Sequence, residues 1–556
     1  MRDIVNFLLG MGFIFLIGVS FSLFDYMNKM KFIKESILNN YGKEIDLEDV
    51  KYKMVSVSSY FENKKINNCI DDITWNDLSM DDIYKKINNT QSSAGRDVLY
   101  TMLRCPLYDK EALSKRDKVI DYFRNDEEKR REIQYTLGKL GESKELYTTN
   151  CLFNEMDNSK SKLLRYKILS YIPWISILLS LLNGYFLILL IASIGVNIWI
   201  SYNDKQYNYN IDGFTYIISV VRAASKIKEL NIVDIDDNLD DISASLEKVR
   251  KIRNKSIDGS SQIINSDVNV LSEYINMITL KELKNYEKVK NTVIKNSKEF
   301  KEIYDYVGTV DALIGVASFR DSLDYYSKPN LKKSNCREEN KIEFVDIYHP
   351  LIKNPIANSG MFNKSVLLTG SNASGKSTFI KTVAINAILS QTIFTSCARE
   401  YSSSFFNIYT SMALKDDIFS SESYYIVEIK SLKRIIDSVN DDIPCLCFVD
   451  EILRGTNTVE RIASSAEVLS HLEKNNTVCF AATHDIELTH LLEDKFENYH
   501  FEETITDNDI EFDYKLHKGR AQTRNAIKLL GFMEYDKDIV QKADNRAKAF
   551  LETGKW

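Results

Sequence analysis

One nine-residue segment, Gly370–Thr378, carries the residue types that bind the phosphates of a nucleotide. It reads GSNASGKST, which matches the G-x-x-x-x-G-K-S spacing of a phosphate-binding loop. Its glycines allow backbone N–H groups to close around phosphates, and the N-terminus of a following helix adds partial positive charge. Lys376 is expected to reach the β- and γ-phosphates, and the Ser377 hydroxyl to hold Mg²⁺. The predicted nucleotide-binding residues are Gly370, Ser371, Asn372, Ala373, Ser374, Gly375, Lys376, Ser377 and Thr378.

An acidic pair, Asp450 and Glu451, follows the apolar run Leu446–Val449. This pattern is expected for a buried parallel strand that ends at an active site. Asp450 is placed to hold Mg²⁺ through water, and Glu451 to orient or deprotonate the attacking water. Taken alone, the pattern better fits a strand that ends in two solvated acids. The preceding phosphate-binding loop reverses that preference.

A histidine, His484, holds a comparable position after the apolar run Thr477–Ala482. An imidazole at the C-terminal end of a strand can meet the γ-phosphate. A single histidine is more often structural, but its place in this series of motifs favours a catalytic role. The polar loop Arg454–Thr458 follows the acidic pair and would lie beside the catalytic end of the strand, where such loops often serve a neighbouring subunit.

These side chains require a strand and a helix that hold the loop between them. The apolar run Ser365–Leu368 precedes the phosphate-binding loop, and Phe379–Leu389 follows it with a helical pattern. Strand, glycine-rich turn and helix are the context in which the motif binds phosphate. The sequence therefore predicts a C-terminal α/β domain with its chemistry at the ends of strands.

The composition is that of an ordinary globular protein, with 44% hydrophobic and 27% charged residues among 556. The net charge of −7 argues against a generally basic surface, so any DNA contact must come from local clusters. Lys129–Arg131 and Lys248–Lys255 are the better candidates, whereas the lysines of Lys281–Lys301 alternate with acids as on a solvated helix. Eight cysteines include no C-x-x-C pair. We therefore expect neither a disulfide nor a zinc framework, and Cys445 and Cys447 can be free buried thiols.

Two regions are long enough and apolar enough to interact with a membrane. Ile4–Phe24 has 21 residues without a charge, which is sufficient to cross a bilayer. A cleaved signal peptide is the alternative, but the weak basic region before it and the lack of a small-residue cleavage site favour an anchor. Ile168–Tyr202 has 35 residues without a charge, which is too long for one ordinary span.

The longer region is predicted to be a helical hairpin, because the turn dipeptide Asn183-Gly184 lies near its middle. Two short spans would cover about Ile168–Leu182 and Tyr185–Tyr202; one tilted helix or a buried core helix are the alternatives. Basic residues flank the three spans: Lys29, Lys31, Lys34, Lys160, Lys162, Arg165, Lys167 and Lys205. By the positive-inside tendency, we predict a multi-pass protein of the cell membrane with a cytoplasmic nucleotide-binding domain.

In their order and spacing, the motifs resemble those of the MutS family of DNA mismatch-repair ATPases. Gly370–Thr378 is similar to that family's Walker A loop, and Asp450–Thr458 resembles its D-E-x-x-R-G-T-x-T segment. Ala482–Thr489 resembles the A-T-H-x-x-E-L-T histidine loop, and Ser423–Ile429 resembles the S-T-F-x-x-E-M signature.

This resemblance implies an ABC-type P-loop ATPase that converts ATP and water to ADP and phosphate with Mg²⁺. Glu451 and His484 would be the catalytic residues, and Ser377 and Asp450 would hold the metal. The resemblance also implies a homodimer with composite ATP sites. Ser423 would then contact the γ-phosphate bound by a second copy of the chain.

The resemblance covers about residues 72–165 and 300–550, but the chain departs from the family in several places. The space before this part is too short for a mismatch-reading domain, so we expect a membrane-anchored member that lacks N-terminal mismatch recognition. Pro355 stands where relatives often stack an aromatic on adenine, which leaves Tyr348 as a candidate. Ser272–Tyr304 is predicted to be one long charged helix, and a lever is favoured over a DNA-binding clamp.

We therefore predict an α+β multidomain protein with N-terminal and internal transmembrane helices, a helical core and lever region, and a C-terminal α/β ATPase domain. The predicted boundaries are 1–27 for the anchor, 28–167 for the core or connector, 168–202 for the hairpin, 203–340 for the lever and 341–556 for the ATPase. The predicted function is that of a MutS-like ATPase, dimeric and bound to mismatched or structured DNA at the membrane. The alternative is an ATP-switched membrane scaffold with a protein partner and no DNA binding. A transporter half is disfavoured, because the predicted spans contain almost no polar residues.

Overall fold

A computed structural model describes most of the chain. The described residues are 20–21, 24–49, 54–143, 147–153, 160–253, 275–334, 336–371, 374–412, 424–439, 442–474, 476–505, 510–521, 527, 530, 533 and 535–553. Two compact units divide the chain: residues 1–66, 87–101 and 115–322 form the first, and residues 67–86, 102–114 and 323–556 form the second. Helices predominate and two mixed sheets accompany them, so the predicted α+β class is confirmed.

Helices account for most of the ordered backbone, as the scarcity of proline predicts. In chain order they are α1 (Met54–Lys64), α2 (Asp72–Asp77), α3 (Met80–Ile87), α4 (Ser93–Arg104), α5 (Lys110–Asn125), α6 (Glu127–Leu140), α7 (Tyr147–Phe153), α8 (Lys160–Ser180), α9 (Phe186–Asn203), α10 (Lys205–Glu229), α11 (Val233–Asn238), α12 (Ser243–Arg253), α13 (Lys281–Lys295), α14 (Ser297–Ser322), α15 (Lys376–Thr392), α16 (Tyr424–Ser438), α17 (Thr458–Lys474), α18 (Ile486–Leu491) and α19 (Lys537–Thr553). Residues 24–40 are also helical.

The first unit is helical where the structure describes it, and α14 lies in its core with most of its side chains buried. Gly308 permits close contact between α14 and α4, because a Cβ there would lie 2.5 Å from the carbonyl oxygen of Ala94. One turn further along α14, Asp311 accepts hydrogen bonds from the backbone N–H groups of Gln91 and Ser92. Asp311 thus satisfies backbone donors at the start of α4 and ties two distant parts of the chain together.

The second unit is built on two sheets. Their strands are β1 (Asn330–Lys332), β2 (Ile342–Ile347), β3 (Asn358–Phe362), β4 (Ser365–Thr369), β5 (Glu400–Ser404), β6 (Asn407–Ser411), β7 (Cys445–Asp450), β8 (Thr477–Ala482), β9 (Phe496–Ile505) and β10 (Ile510–Lys518). The larger sheet has the order β10-β9-β4-β8-β7-β6 and is parallel from β9 to β6, with β10 antiparallel at one edge. The smaller sheet has the order β1-β5-β2-β3.

The central strands of the larger sheet are apolar because both of their faces are covered. Every residue of β4 and β8 is buried, and β7 is buried up to its last residue. Continuous apolar strands of this kind are typical of parallel sheets covered on two faces. Cys445 and Cys447 of β7 are free and buried, as the sequence predicted.

A helical hairpin is formed by α8 and α9, with its turn at Asn183-Gly184. In the described part of the chain, one helix is long and apolar enough to cross a membrane, Phe186–Asn203. The prediction of three spans is therefore not supported: the uncharged part of α8, Ile168–Ser180, has only 13 residues. The first predicted span lies almost wholly outside the described residues.

Two other predictions were wrong. The region Ser272–Tyr304 is not one helix, because α13 ends at Lys295 and α14 begins at Ser297, with the non-helical Asn296 between them. The cysteines are not all free, because Cys69 and Cys105 of the second unit form a disulfide. The disulfide depends on tertiary packing that the local pattern does not reveal, whereas the break at Asn296 is accompanied by local hydrogen bonds from Asn296 to the carbonyl oxygen of Thr292. The predicted domain boundaries remain predictions.

Candidate functional site

The predicted phosphate-binding loop lies between β4 and the N-terminus of α15. Its two end glycines have left-handed backbone conformations, with φ of 136° at Gly370 and 103° at Gly375. A Cβ at Gly370 would lie 2.9 Å from the carbonyl oxygen of Phe501 and 2.9 Å from Ser374 Oγ. Glycine is thus required by both conformation and space, which keeps backbone N–H groups accessible at the start of the helix.

Lys376, the first residue of α15, extends its ammonium group across the loop. Its Nζ donates hydrogen bonds to the carbonyl oxygens of Gly370 at 2.7 Å and Ser371 at 2.6 Å. Burial lowers the pKa of Lys376 to about 8, although Asp450 and Glu451 favour its charged form. The structure thus holds a nearly buried cation where the motif predicts phosphate oxygens.

Strand pairing brings the remaining predicted residues to the same edge of the sheet. Leu368 of β4 lies opposite Ala482 of β8, which in turn lies opposite Asp450 of β7. Because the three strands are parallel, their C-terminal ends meet here, and the residues that follow them converge. The phosphate-binding loop, the acidic pair and the histidine therefore share one site.

Asp450 is suited to hold a divalent cation. Burial raises the pKa of its carboxyl group, while a hydrogen bond from the Ser377 side chain opposes this shift. Its Oδ1 atom is buried and has no hydrogen-bond partner among the described residues. A carboxylate oxygen and a hydroxyl are hard oxygen ligands of the kind that Mg²⁺ prefers, so Asp450 and Ser377 fit this ion.

Glu451 has a left-handed backbone conformation, with φ of 54°, which is unusual for a residue with a side chain. This conformation is held by a hydrogen bond from its N–H to the carbonyl oxygen of Ala482. Its Oε1 lies 3.1 Å from His484 Nε2, and its Oε2 lies 2.5 Å from Arg454 Nη1 in an ion pair without hydrogen-bond geometry. Glu451 thus leaves the strand in a different direction from Asp450 and interacts with two predicted site residues.

His484 is held by the loop that follows β8. The N–H of Thr483 donates to the carbonyl oxygen of Leu368, and Asp485 accepts two hydrogen bonds from Arg461 at 2.9 and 2.7 Å. Burial lowers the pKa of His484, and the charge of Lys376 adds to that effect. A neutral imidazole that donates its Nε2–H to Glu451 keeps Nδ1 as an acceptor, which a bound water can use.

A cavity of about 400 Å³ adjoins the loop at Gly375 and Thr378. Pro355, Tyr348 and Tyr514 contribute to its wall. Tyr348 is engaged elsewhere, since its hydroxyl donates to the carbonyl oxygen of Tyr325 and its ring packs edge-on against that residue. Tyr514 of β10 is 42% exposed, and its ring lies 3.1 Å from the place where a Cβ of Gly375 would be.

Sequence reasoning did not identify Tyr514 as a site residue. Its place in the cavity depends on the pairing of β10 with β9, which is adjacent to β4 in the sheet. The only signal in the sequence is an aromatic residue in a strand, which is uninformative without the sheet order.

Three predicted site residues, Asn372, Ala373 and Ser423, lie outside the described residues. The rest of the predicted signature is described and forms the first part of α16. Its Glu428 accepts a hydrogen bond from the N–H of Arg454 at 3.4 Å, and a Cβ at Gly455 would lie 2.9 Å from Tyr425 Cβ. The start of α16 therefore packs against the loop that follows Glu451.

The basic clusters singled out as DNA contacts have other partners. Arg130 is buried, stacks on Tyr41 and donates to the carbonyl oxygen of Phe123. Lys248 pairs with Glu299. These interactions bury the guanidinium group of Arg130 and pair the ammonium group of Lys248 with a carboxylate, which reduces the positive charge that these two side chains offer to nucleic acid. Residues 254 and 255 of the second cluster lie outside the described residues.

Known proteins are similar in sequence to the part of the chain that forms this site. Residues 366–551 match the family model described as MutS domain V, and this segment contains the loop, the acidic pair, the histidine and Tyr514. MutS protein homolog 4 from Homo sapiens is 31% identical over 248 residues, which cover 41% of this chain and 26% of that protein. DNA mismatch repair protein MutS from Streptococcus uberis is 23% identical over 536 residues, which cover 84% of this chain and 60% of that protein.

A third relative, DNA mismatch repair protein MutS from Finegoldia magna, is 24% identical over 325 residues, or 56% of this chain and 37% of that protein. The chain thus matches between about a quarter and three fifths of the length of these relatives. The domain match and the three relatives together support membership of this chain in the MutS family.

Proposed function

We propose that this protein binds and hydrolyses ATP with Mg²⁺ at the edge of the larger sheet. The observation that carries the proposal is the convergence of Lys376, Asp450 and the Glu451–His484 pair at the ends of three adjacent parallel strands. A phosphate-binding loop alone is compatible with several nucleotide-dependent activities. An acidic pair and a histidine at the same edge indicate hydrolysis.

Each residue has a role that follows from its position. Lys376 would exchange its bonds to the carbonyl oxygens of Gly370 and Ser371 for bonds to phosphate oxygens. Asp450 and Ser377 would hold Mg²⁺, which when bound neutralises charge on the phosphates. Glu451 would position the attacking water, and His484 would orient the Glu451 carboxylate through its Nε2–H.

The cavity beside the loop is the proposed site of the nucleobase. It adjoins Gly375 and Thr378, at the N-terminus of the helix that would receive the phosphates. Tyr514 supplies an exposed aromatic ring and Pro355 an apolar surface, which suits a flat, partly apolar base.

We further propose that two copies of the chain form composite ATP sites. The contact of α16 with the loop at Arg454 and Gly455 supports this proposal, because it joins the end of the signature segment to the catalytic strand end. Ser423 would then reach the nucleotide of the second copy. ATP would favour the closed dimer, and hydrolysis would reopen it.

DNA, mismatched or structured, is the proposed partner of the dimer. Support comes from the names of two relatives, which are DNA mismatch repair proteins. The alternative is an ATP-switched membrane scaffold with a protein partner, and the burial of Arg130 and the pairing of Lys248 with Glu299 favour it. Attachment to the cell membrane is supported by the apolar helix Phe186–Asn203 and the exposed apolar side chains of the hairpin. The nucleotide site would lie on the cytoplasmic side, by the positive-inside tendency of the basic residues that flank the hairpin.

Steady-state hydrolysis of MgATP by the purified full-length protein tests the central proposal. Glu451→Gln should bind ATP with nearly unchanged affinity but lose at least about a hundredfold in turnover, because the water-positioning carboxylate is gone. Glu460→Gln is a matched control on the neighbouring helix and should retain wild-type turnover. Normal turnover by Glu451→Gln would refute the assigned role.

Binding of homoduplex, mismatched and branched DNA separates the two partner hypotheses. Genuine phosphate contacts give an affinity that falls steeply as the salt concentration rises. No binding to any of these DNA forms at low salt would leave the scaffold function, and ATP hydrolysis would be unaffected by that outcome.

A further inference from the structure

We propose that the hairpin of α8 and α9 inserts into a lipid bilayer from one face and returns to that face without crossing. This inference deepens the proposed membrane attachment and rests on it. The argument uses four features of the hairpin: its exposed apolar surface, its turn, its polar base and its length.

The hairpin exposes apolar side chains around most of its circumference. Leu178, Leu182, Ile188 and Trp199 are each more than half exposed. On α9 the buried side chains are Ser193 and Asn197, so the exposed positions occupy the other sides. A protein groove would cover one side of a hairpin, whereas a bilayer surrounds it.

The turn satisfies much of its own backbone hydrogen bonding. The N–H groups of Leu182 and Asn183 both donate to the carbonyl oxygen of Leu179, and the N–H of Phe186 donates to the carbonyl oxygen of Asn183. The Asn183 side chain accepts from the N–H of Tyr185 at 3.1 Å. Because unpaired backbone groups are costly in hydrocarbon, a turn closed in this way can lie inside a membrane.

The base of the hairpin is polar and attached to the rest of the first unit. Asn197 Nδ2 donates to the carbonyl oxygens of Leu169 at 3.2 Å and Ile278 at 2.7 Å. At the same level, Lys284 Nζ of α13 donates to Ser170 Oγ at 2.9 Å. An ammonium group is strongly disfavoured in hydrocarbon, so this level must lie at or outside the headgroups.

Charge at the base favours a lipid surface as the occupant. Arg165 and Lys167 are exposed on α8, below Ser170. Basic residues next to an apolar insert are attracted to anionic headgroups of the cytoplasmic leaflet. The aromatic residues Tyr171 and Trp199 are exposed near the same level and suit the membrane interface.

The length above the base decides between insertion and crossing. Asn183 lies thirteen positions after Ser170, and Asn197 lies thirteen positions after Gly184. At 1.5 Å per helical residue, both arms extend about 20 Å beyond the base. The hydrocarbon core is about 30 Å thick, so the tip would pass the midplane and stop about 10 Å short of the far headgroups.

Cysteine accessibility in the full-length protein tests this topology. The exposed native Cys336 is replaced by Ser, and either Tyr185→Cys at the tip or Arg165→Cys at the base is added. Each variant is reconstituted into vesicles of phosphatidylcholine and phosphatidylglycerol. In one measurement, a membrane-impermeant maleimide is supplied either outside the vesicles or encapsulated inside them. In a separate sample, the tip cysteine carries a fluorophore, and its quenching by lipids with brominated acyl chains is measured.

We expect the protein to float with the vesicles and the base cysteine to react with external maleimide. The tip cysteine should react at least about tenfold more slowly with reagent on either side, since it lies in hydrocarbon, and its fluorophore should be quenched. Reaction of the tip with encapsulated reagent would show that the hairpin crosses. Reaction with external reagent, or absence of quenching, would show that it is not inserted. Failure to float would instead refute the membrane attachment itself.

Discussion

The contact between α14 and α4 predicts that alanine destabilises α14 at Gly308 but not at Gly315. Replacing Gly308 by Ala would place a Cβ 2.4 Å from Val98 Cγ2 and 2.5 Å from the carbonyl oxygen of Ala94. The side chain of Val98 can rotate, but the backbone of Ala94 cannot move without moving α4. At Gly315 the nearest atom to a new Cβ is Thr90 Cγ2 at 3.4 Å, which is close to ordinary contact.

The size of each effect follows from two opposing contributions. Overpacking a core costs about 1–3 kcal/mol, while glycine in a helix interior is about 1 kcal/mol worse than alanine. The net range for Gly308→Ala is a loss of about 0–2 kcal/mol in the free energy of opening α14, and we expect the upper part of it because the clash includes a backbone oxygen. Gly315→Ala should raise it by up to about 1 kcal/mol, because the helix gains alanine without a clash.

Hydrogen exchange of peptides that cover α14 measures these changes locally, and so does not require two-state unfolding of a protein with two units. Gly308→Ala should accelerate exchange about tenfold, since 1.4 kcal/mol corresponds to a factor of ten. Gly315→Ala should leave exchange unchanged or slower. Equal exchange in wild type and Gly308→Ala, or faster exchange in Gly315→Ala than in Gly308→Ala, would refute the packing argument.

Three further predictions concern the second unit. Tyr514→Ala should weaken ATP binding about tenfold in a fluorescent-nucleotide titration, because stacking on a base contributes about 1–3 kcal/mol. Tyr514→Phe keeps the ring and should bind like wild type, so an equal loss of affinity in both variants would contradict stacking. Arg461→Ala removes both hydrogen bonds to Asp485. It should reduce ATP turnover about tenfold or more by misplacing His484, with little change in ATP affinity, and unchanged turnover would show that Arg461 does not position His484. Cys69→Ser removes a disulfide that closes a loop of 36 residues. It should lower the free energy of unfolding by about 4 kcal/mol under oxidising conditions. If wild type and variant still differ in excess dithiothreitol, the loss of stability does not come from the disulfide.

Much of the candidate site could be predicted from sequence because its signals are local. Gly370 and Gly375 need left-handed backbone conformations, and glycine supplies them at no steric cost. The acidic pair and the histidine follow continuous apolar runs, which become β7 and β8. Parallel strands then place these ends together, so order along the chain was sufficient to identify neighbours in space.

Two of the failures, the Cys69–Cys105 disulfide and the basic cluster at Arg130, depend on distant partners. The predicted helix Ser272–Tyr304 breaks at Asn296, although Leu283 and Tyr286 are buried at the helical spacing that was expected. The sequence predicts that the basic cluster at Arg130 contacts phosphate, but in the structure Arg130 packs on the ring of Tyr41. Local pattern reports which side of a helix is apolar, but not what that side or the opposite one contacts.

Backbone preferences within a few residues were sufficient to predict the phosphate-binding loop, the residues at the strand ends and the turn of the hairpin. The tertiary structure was needed to show that Glu451 contacts His484 and that Tyr514 lies beside Gly375. The tertiary structure also sets the length of the hairpin that extends beyond its base, because Asn197 at the base is bonded to Ile278, which is distant in the chain. These contacts join residues whose separation in sequence carries no information until the strands and helices have packed.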